Sequence, residues 1–185
     1  DDDEYNLLVV RRYLPSPPFT VATAINGRMA LDMAQAAWPD IIVMDLDMPV
    51  MGGLEAVGRL REHEQAQGLP RCRIVALSSH DDEATQSRCL AAGFDHYLTK
   101  PVTRELLLGT LARLMGLQHV VAAAPAVAMD QDLAPLMEGF IASRKALVEE
   151  MAQAITRGER ETVRRIAHQL AGSFSLYGFE AAALR

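Results

Sequence analysis

The stretch Ile41-Ile42-Val43-Met44-Asp45-Leu46-Asp47-Met48-Pro49-Val50-Met51-Gly52-Gly53 decides the fold. Its first residues are apolar, few in number and rich in β-branched side chains, so they read as a buried strand. Asp45 ends that strand. Pro49, Gly52 and Gly53 mark a loop, and Leu54, Val57, Leu60 and Arg61 then recur at helical spacing. A carboxylate at the carboxyl end of a buried strand lies where open α/β sheets place their ligands.

The same alternation continues on both sides. Upstream, an acidic start (Asp1-Asp2-Asp3-Glu4) precedes a helix over 5–14 that Pro15, Pro17 and Pro18 end. A strand over 19–24, a turn at Asn26-Gly27 and a helix over 28–37, closed by Trp38-Pro39, lead into the Asp45 strand. Downstream, a helix over 54–67 stops at Gly68 and Pro70, and a strand over 74–77 ends in Ser78-Ser79. A helix over 82–92 stops at Gly93, and a strand over 96–99 ends in Lys100-Pro101. Thr103 caps a helix running to Met115. Strands alternating with helices predict an α/β fold built as a doubly wound parallel sheet. Only four strands are visible, and the first element is a helix behind acidic residues. The first strand of the sheet is therefore expected ahead of Asp1, outside this sequence.

From Gln118 to Met129 the chain turns rich in Ala, Val and Pro and reads as a linker, with a loose apolar helix extension as the alternative. From Asp130 the pattern is purely helical. Leu133, Leu136, Met137, Phe140, Ile141, Leu147, Val148, Met151 and Ile155 form a stripe that breaks at Gly158, and a second helix covers 159–174. The division is thus an α/β domain at 1–117, a linker at 118–129 and an all-α domain at 130–185.

The chain has 185 residues, half of them hydrophobic, and a net charge of −6. That composition suits a soluble globular protein and argues against a nucleic-acid-binding surface. No apolar run approaches the ~20 residues of a bilayer-spanning helix, and no secretory signal is visible. Cys72 and Cys89 lack metal or disulfide spacing and read as small buried hydrophobes in a reducing compartment. The chain lacks an initiator Met and stops within a helical pattern, so both ends are expected to continue in a longer protein.

In a parallel sheet the strand ends converge. Asp1 and Asp2 would follow the outlying first strand, and Asp45, Ser78 and Lys100 follow visible ones. Crowded carboxylates repel, and a hard divalent cation relieves that. Mg²⁺ suits one or two carboxylates plus phosphate oxygens, while Lys100 and Ser78 can bind the remaining phosphoryl oxygens. Asp45 then serves as the nucleophile of an acyl phosphate.

The acidic start, Met44-Asp45-Leu46-Asp47-Met48-Pro49, Leu77-Ser78-Ser79 and Tyr97-Leu98-Thr99-Lys100-Pro101 together resemble a response-regulator receiver domain over residues 1–117. The resemblance implies a flavodoxin-like sheet of order 2-1-3-4-5, with Asp45 as phosphoacceptor. Asp2, Asp1 through water and the backbone carbonyl of Asp47 would hold Mg²⁺ beside Asp45; Asp2-Asp3 is the alternative acidic pair. Ser78 would be the switch hydroxyl, Lys100 the phosphoryl-contacting lysine and Tyr97 the switch aromatic. The Lys100-Pro101 bond would be cis. Gly52 stands where the family often has Asp.

The helical domain has one sharp feature, Ile166-Ala167-His168-Gln169-Leu170-Ala171-Gly172-Ser173. On a helix, His168 shares a face with Gly172 and with Arg164 and Arg165. Gly172 costs about 1 kcal/mol against Ala, and its lack of a side chain opens access to the imidazole. A neutral imidazole is a competent nucleophile toward an acyl phosphate. These residues, with Tyr177-Gly178-Phe179, resemble a histidine-containing phosphotransfer (HPt) domain, in which His168 would be the phosphohistidine. Ala171 stands where the family often has Lys, and Arg164 or Arg165 is expected to supply part of that charge. Such a domain has a four-helix core, so the all-α part reads as a C-terminally incomplete bundle.

Receiver followed by HPt implies a cytoplasmic phosphorelay segment, a phosphotransfer module rather than a turnover enzyme by itself. Its partners would be a histidine kinase as donor and a downstream response regulator, with no nucleic acid and no membrane insertion in this segment. The order matches the C-terminal part of a hybrid sensor histidine kinase, whether or not membrane-bound. A freestanding receiver-HPt adaptor and a non-phosphorylated interaction module are the competing readings.

Overall fold

A computed structural model describes residues 1–117 and 129–176; within the second stretch, side chains are described at 138–167, 169 and 170. The chain divides into two compact units, Asp1–Ala123 and Ala124–Arg185.

The first unit carries a parallel sheet of β1 (Ile41–Asp45), β2 (Arg73–Ser78) and β3 (His96–Thr99), in that order. Asp45 pairs with Leu77, and Ser78 with Thr99, so the chemistry-bearing strand ends lie along one edge. Helices α1 (Glu4–Tyr13), α2 (Gly27–Ala36), α3 (Gly53–Gln67), α4 (Glu83–Ala92) and α5 (Arg104–Met115) complete the unit. Their ends follow local chemistry. Asp3, Asn26, Asp82 and Thr103 cap helices through side-chain oxygens. Gly68, Gly93 and Gly116 close α3, α4 and α5 in the left-handed conformation that glycine takes without a Cβ penalty. Asn26-Gly27 is thus a helix start rather than a free turn. The core gathers Leu31, Met44, Val57, Leu60, Ile74 and Phe94 around the sheet. Cys72 and Cys89 are buried and free, and burial pushes the Cys72 thiol up to about 12.

One expectation fails. Residues 19–24 run without strand pairing. Strand backbone needs a ladder partner, and β1 does not provide one. Its unpaired edge and residues 19–24 instead line an apolar cavity of about 310 Å³, which Leu7 and Leu111 also line. The fold is flavodoxin-like, but its described sheet holds three strands rather than the five of order 2-1-3-4-5.

Away from the strand-end edge, a charged staple joins α3 to the sheet. Arg61 donates to the carbonyls of Gly93 (3.0 Å) and Cys72 (2.8 Å), and pairs with Glu64 (2.9 Å) and Asp95 (2.7 Å). Asp95 also accepts from the Ile74 N–H at 2.8 Å. Burial works to raise the Asp95 carboxyl, but that hydrogen bond and the charges of Arg71 and Arg61 prevail and hold it below the ordinary range.

The second unit is a helical hairpin of α6 (Met129–Arg157) and α7 (Arg160–Leu176). Gly158 turns the chain at φ 72°, which suits glycine. Phe140, Ala154, Ile166 and Leu170 are buried, and the buried Arg144 guanidinium lies 5.0 Å from the Phe140 ring centroid. Most of the expected linker and Tyr177-Gly178-Phe179 lie outside the described residues.

Candidate functional site

Asp45 is 5 % exposed at the end of β1. The loop that follows folds back tightly. The Asp47 N–H donates to Asp45 Oδ1 at 3.3 Å, and the Gly53 N–H donates to the Leu46 carbonyl at 2.9 Å. A Cβ on Gly53 would overlap the Asp45 carbonyl oxygen, so only glycine lets α3 begin this close to the strand end. Val50, 82 % exposed, has φ 68°, and the Met51 N–H bonds the Pro49 carbonyl around it at 2.7 Å. That is a γ-turn of the strained kind.

Opposite Asp45 stands Lys100, 8 % exposed at the end of β3. Its Nζ lies 2.7 Å from Asp45 Oδ2 and 2.9 Å from Asp1 Oδ2. Asp1, Asp2 and Asp45 each bring a carboxylate oxygen within 4.8 Å of the others. Asp3 is not in this group, because its side chain accepts from the Tyr5 N–H at 2.9 Å and caps α1. The geometry thus gathers Asp1 and Asp2, not Asp2 and Asp3, around Asp45. Burial pushes the Asp2 carboxyl above its ordinary range. Three carboxylates gathered this closely form an oxygen-only donor set that fits a hard divalent cation such as Mg²⁺.

Ser78 is fully buried at the end of β2. Its Oγ accepts from the His80 N–H at 3.1 Å and lies 3.3 Å from His80 Nδ1. His80 Nδ1 is also 3.4 Å from Asp47 Oδ2. Tyr97, largely buried, donates its hydroxyl to the His80 carbonyl at 2.6 Å, and burial pushes its phenol up. Ser78, Asp47 and Tyr97 therefore meet on His80. The Lys100-Pro101 peptide bond is cis.

The response regulator receiver domain family matches residues 1–112, and the Hpt domain family matches residues 135–184. The chain belongs to the response regulator receiver family. Its receiver is followed by an Hpt domain, the architecture of two-component phosphorelay signalling. The nitrate/nitrite response regulator protein NarL of Escherichia coli K12 is 30% identical over 156 residues, covering 84% of this chain and 66% of NarL. Hybrid signal transduction histidine kinase A of Dictyostelium discoideum is 32% identical over 117 residues, 63% of this chain and 5% of the kinase. The chain thus spans less than two thirds of these curated relatives. The receiver domain of sensor histidine kinase PA1611 from Pseudomonas aeruginosa, solved with magnesium coordinated in its active-site cleft, superposes with a TM-score of 0.56 at 31% identity. That match covers 63% of this chain and 93% of that one. A chain of the co-crystal of the Saccharomyces cerevisiae phosphotransfer protein Ypd1 with the receiver domain of Ssk1 superposes with a TM-score of 0.60 at 26% identity, covering 64% and 86%.

In the Hpt unit, His168 and Gly172 lie one turn apart in α7; their surroundings fall outside the described side chains. Arg164 is exposed. Arg165 pairs with Glu150 of α6 at 3.0 Å, so part of its charge is committed to the hairpin. No helix among the described residues is long and apolar enough to cross a membrane.

Sequence reasoning missed two residues of the receiver site. His80 gave only a weak signal, its place two residues past Ser78. Asn6 gave a better one: it shares the buried face of α1 with Val9 and Tyr13, at helical spacing.

Proposed function

We propose that this receiver-Hpt chain relays phosphoryl groups through Asp45 and His168, with Mg²⁺ as cofactor. The observation that carries the reading is the Lys100 ammonium 2.7 Å from the buried Asp45 carboxylate, with the carboxylates of Asp1 and Asp2 beside it. Asp2, Asp45 and the Asp47 carbonyl would hold the ion, with Asp1 acting through water. Bound there, it supplies charge neutralisation for phosphoryl oxygens and carboxylates.

The Asp45 carboxylate oxygen attacks the phosphorus of a kinase phosphohistidine. A P–O bond forms, the P–N bond breaks, and the imidazole leaves and takes up a proton. Lys100 turns from Asp45 toward a phosphoryl oxygen, and the Ser78 hydroxyl donates to another. Tyr97 follows the Ser78 loop through His80. In the next step an imidazole nitrogen of His168 attacks an acyl phosphate, that of Asp45 or of a downstream receiver. The P–N bond forms, the acyl P–O bond breaks, and the carboxylate is regenerated. Arg164 steadies the transferring group, with Arg165 contributing when it leaves Glu150, and Gly172 gives the incoming domain room.

The match to a hybrid histidine kinase supports a place within such a kinase, and we assign the chain to its cytoplasmic C-terminal part. The longer match to a response regulator, NarL, favours the freestanding adaptor as second reading. We assign 1–117 to the receiver, 118–129 to the linker and 130–185 to the Hpt domain. Radiolabelled transfer from a phosphorylated kinase tests the relay. Label is expected on Asp45 and His168 in the wild type, on Asp45 alone in His168→Gln, and on neither in Asp45→Asn. Label on His168 in the Asp45 variant would remove Asp45 from the path.

A further inference from the structure

Asn6 is 3 % exposed, and its Nδ2 lies 3.0 and 3.2 Å from the two carboxylate oxygens of Asp1. A carboxylate only accepts, so the amide must present its NH₂ group to Asp1. The carbonyl Oδ1 is then left buried, without a hydrogen-bond partner among the described residues. An orphaned acceptor destabilises a fold. Stability alone would favour an apolar residue of the same size at this position.

The other donors to Asp1 suggest what the amide is for. Oδ1 also accepts from the Asp3 N–H at 3.0 Å, and Oδ2 accepts from Lys100 Nζ at 2.9 Å. Lys100 is the group that must turn toward a phosphoryl oxygen during transfer. Once it turns, Asn6 is the side chain that still holds Asp1. A neutral amide does this without cancelling the negative charge that attracts a cation, as a Lys or Arg would.

We propose that Asn6 is a positioning residue that fixes the Asp1 carboxylate for divalent-cation binding. The inference rests on the Mg²⁺ reading of Asp1, Asp2 and Asp45. Outer-shell partners of this kind alter metal affinity by about 10–100-fold.

The test uses the full chain with Asn6→Leu, which removes both the donor and the orphaned acceptor, and Asn6→Ala, which also opens a cavity. Mg²⁺ affinity is read by calorimetric titration, and Tm is measured without metal. Both variants are expected to bind Mg²⁺ about tenfold more weakly. The metal-free Tm should hold or rise for Asn6→Leu and fall for Asn6→Ala. If wild type binds Mg²⁺ and either variant binds within twofold of it, the positioning role is overturned. An affinity loss that merely follows the metal-free Tm also overturns it, because a structural role alone explains that result. If wild type itself binds no Mg²⁺, the metal reading falls and takes this inference with it.

Discussion

Gly53 sets how near α3 can start to Asp45, because any Cβ there meets the Asp45 carbonyl. Gly53→Ala is expected to lower stability by about 1–3 kcal/mol through overpacking and to slow phosphorylation by displacing the loop. Urea unfolding and labelling kinetics check both effects. Asp95 provides a pH test. Its carboxyl is held below the ordinary range in the fold. Its stabilising contribution is therefore full above the unfolded value and is lost as pH falls through the depressed folded value. Asp95→Asn, which weakens the staple while Glu64 still pairs with Arg61, should cost about 1.5–3 kcal/mol near neutral pH. The gap to wild type should narrow in strong acid, and denaturant titrations at several pH values read it. Asp45 and Ser78 were legible because each ends an apolar run, and Lys100 because Tyr97-Leu98-Thr99-Lys100-Pro101 marks it. His80 was not, because it reaches the site through loop backbone where no short motif marks a polar group, and Asn6 showed only as a polar residue in step with the apolar face of α1.

At the scale of elements, the β1, β2 and β3 strands and every described helix stood out in the sequence through apolar period and end residues. Asp82, Thr103, Gly68 and Gly93 act as sequence chemistry requires. Residues 19–24 were misread because composition reports strand propensity, whereas a strand exists only with a paired neighbour. The unpaired edge of β1 and its apolar cavity express the same fact. The loop between β1 and α3 carries strain of its own at Val50. A β-branched residue at positive φ costs of order 1–3 kcal/mol, and glycine gives back about 0.5–1 kcal/mol in unfolded-chain entropy. Val50→Gly should therefore stabilise by about 1 kcal/mol in chemical denaturation. Destabilisation would mean that the side chain has a packing role.

At the scale of the whole molecule, the chain carries a receiver and an Hpt unit, and in the proposed relay these are two successive acceptors of a single phosphoryl group. Their order was readable from the sequence because the two resemblances rest on separate motifs, one at the strand end of Asp45 and one on the helix of His168, the two proposed nucleophiles. The first acceptance by Asp45 is the step on which the rest depends. Incubation of the full chain with labelled acetyl phosphate and Mg²⁺, followed by intact-mass and acid-stability analysis, measures it directly. The account expects an acyl phosphate on the wild type, lost when Mg²⁺ is chelated and absent from Asp45→Asn. Equal labelling of wild type and Asp45→Asn, or no label on wild type, would contradict it.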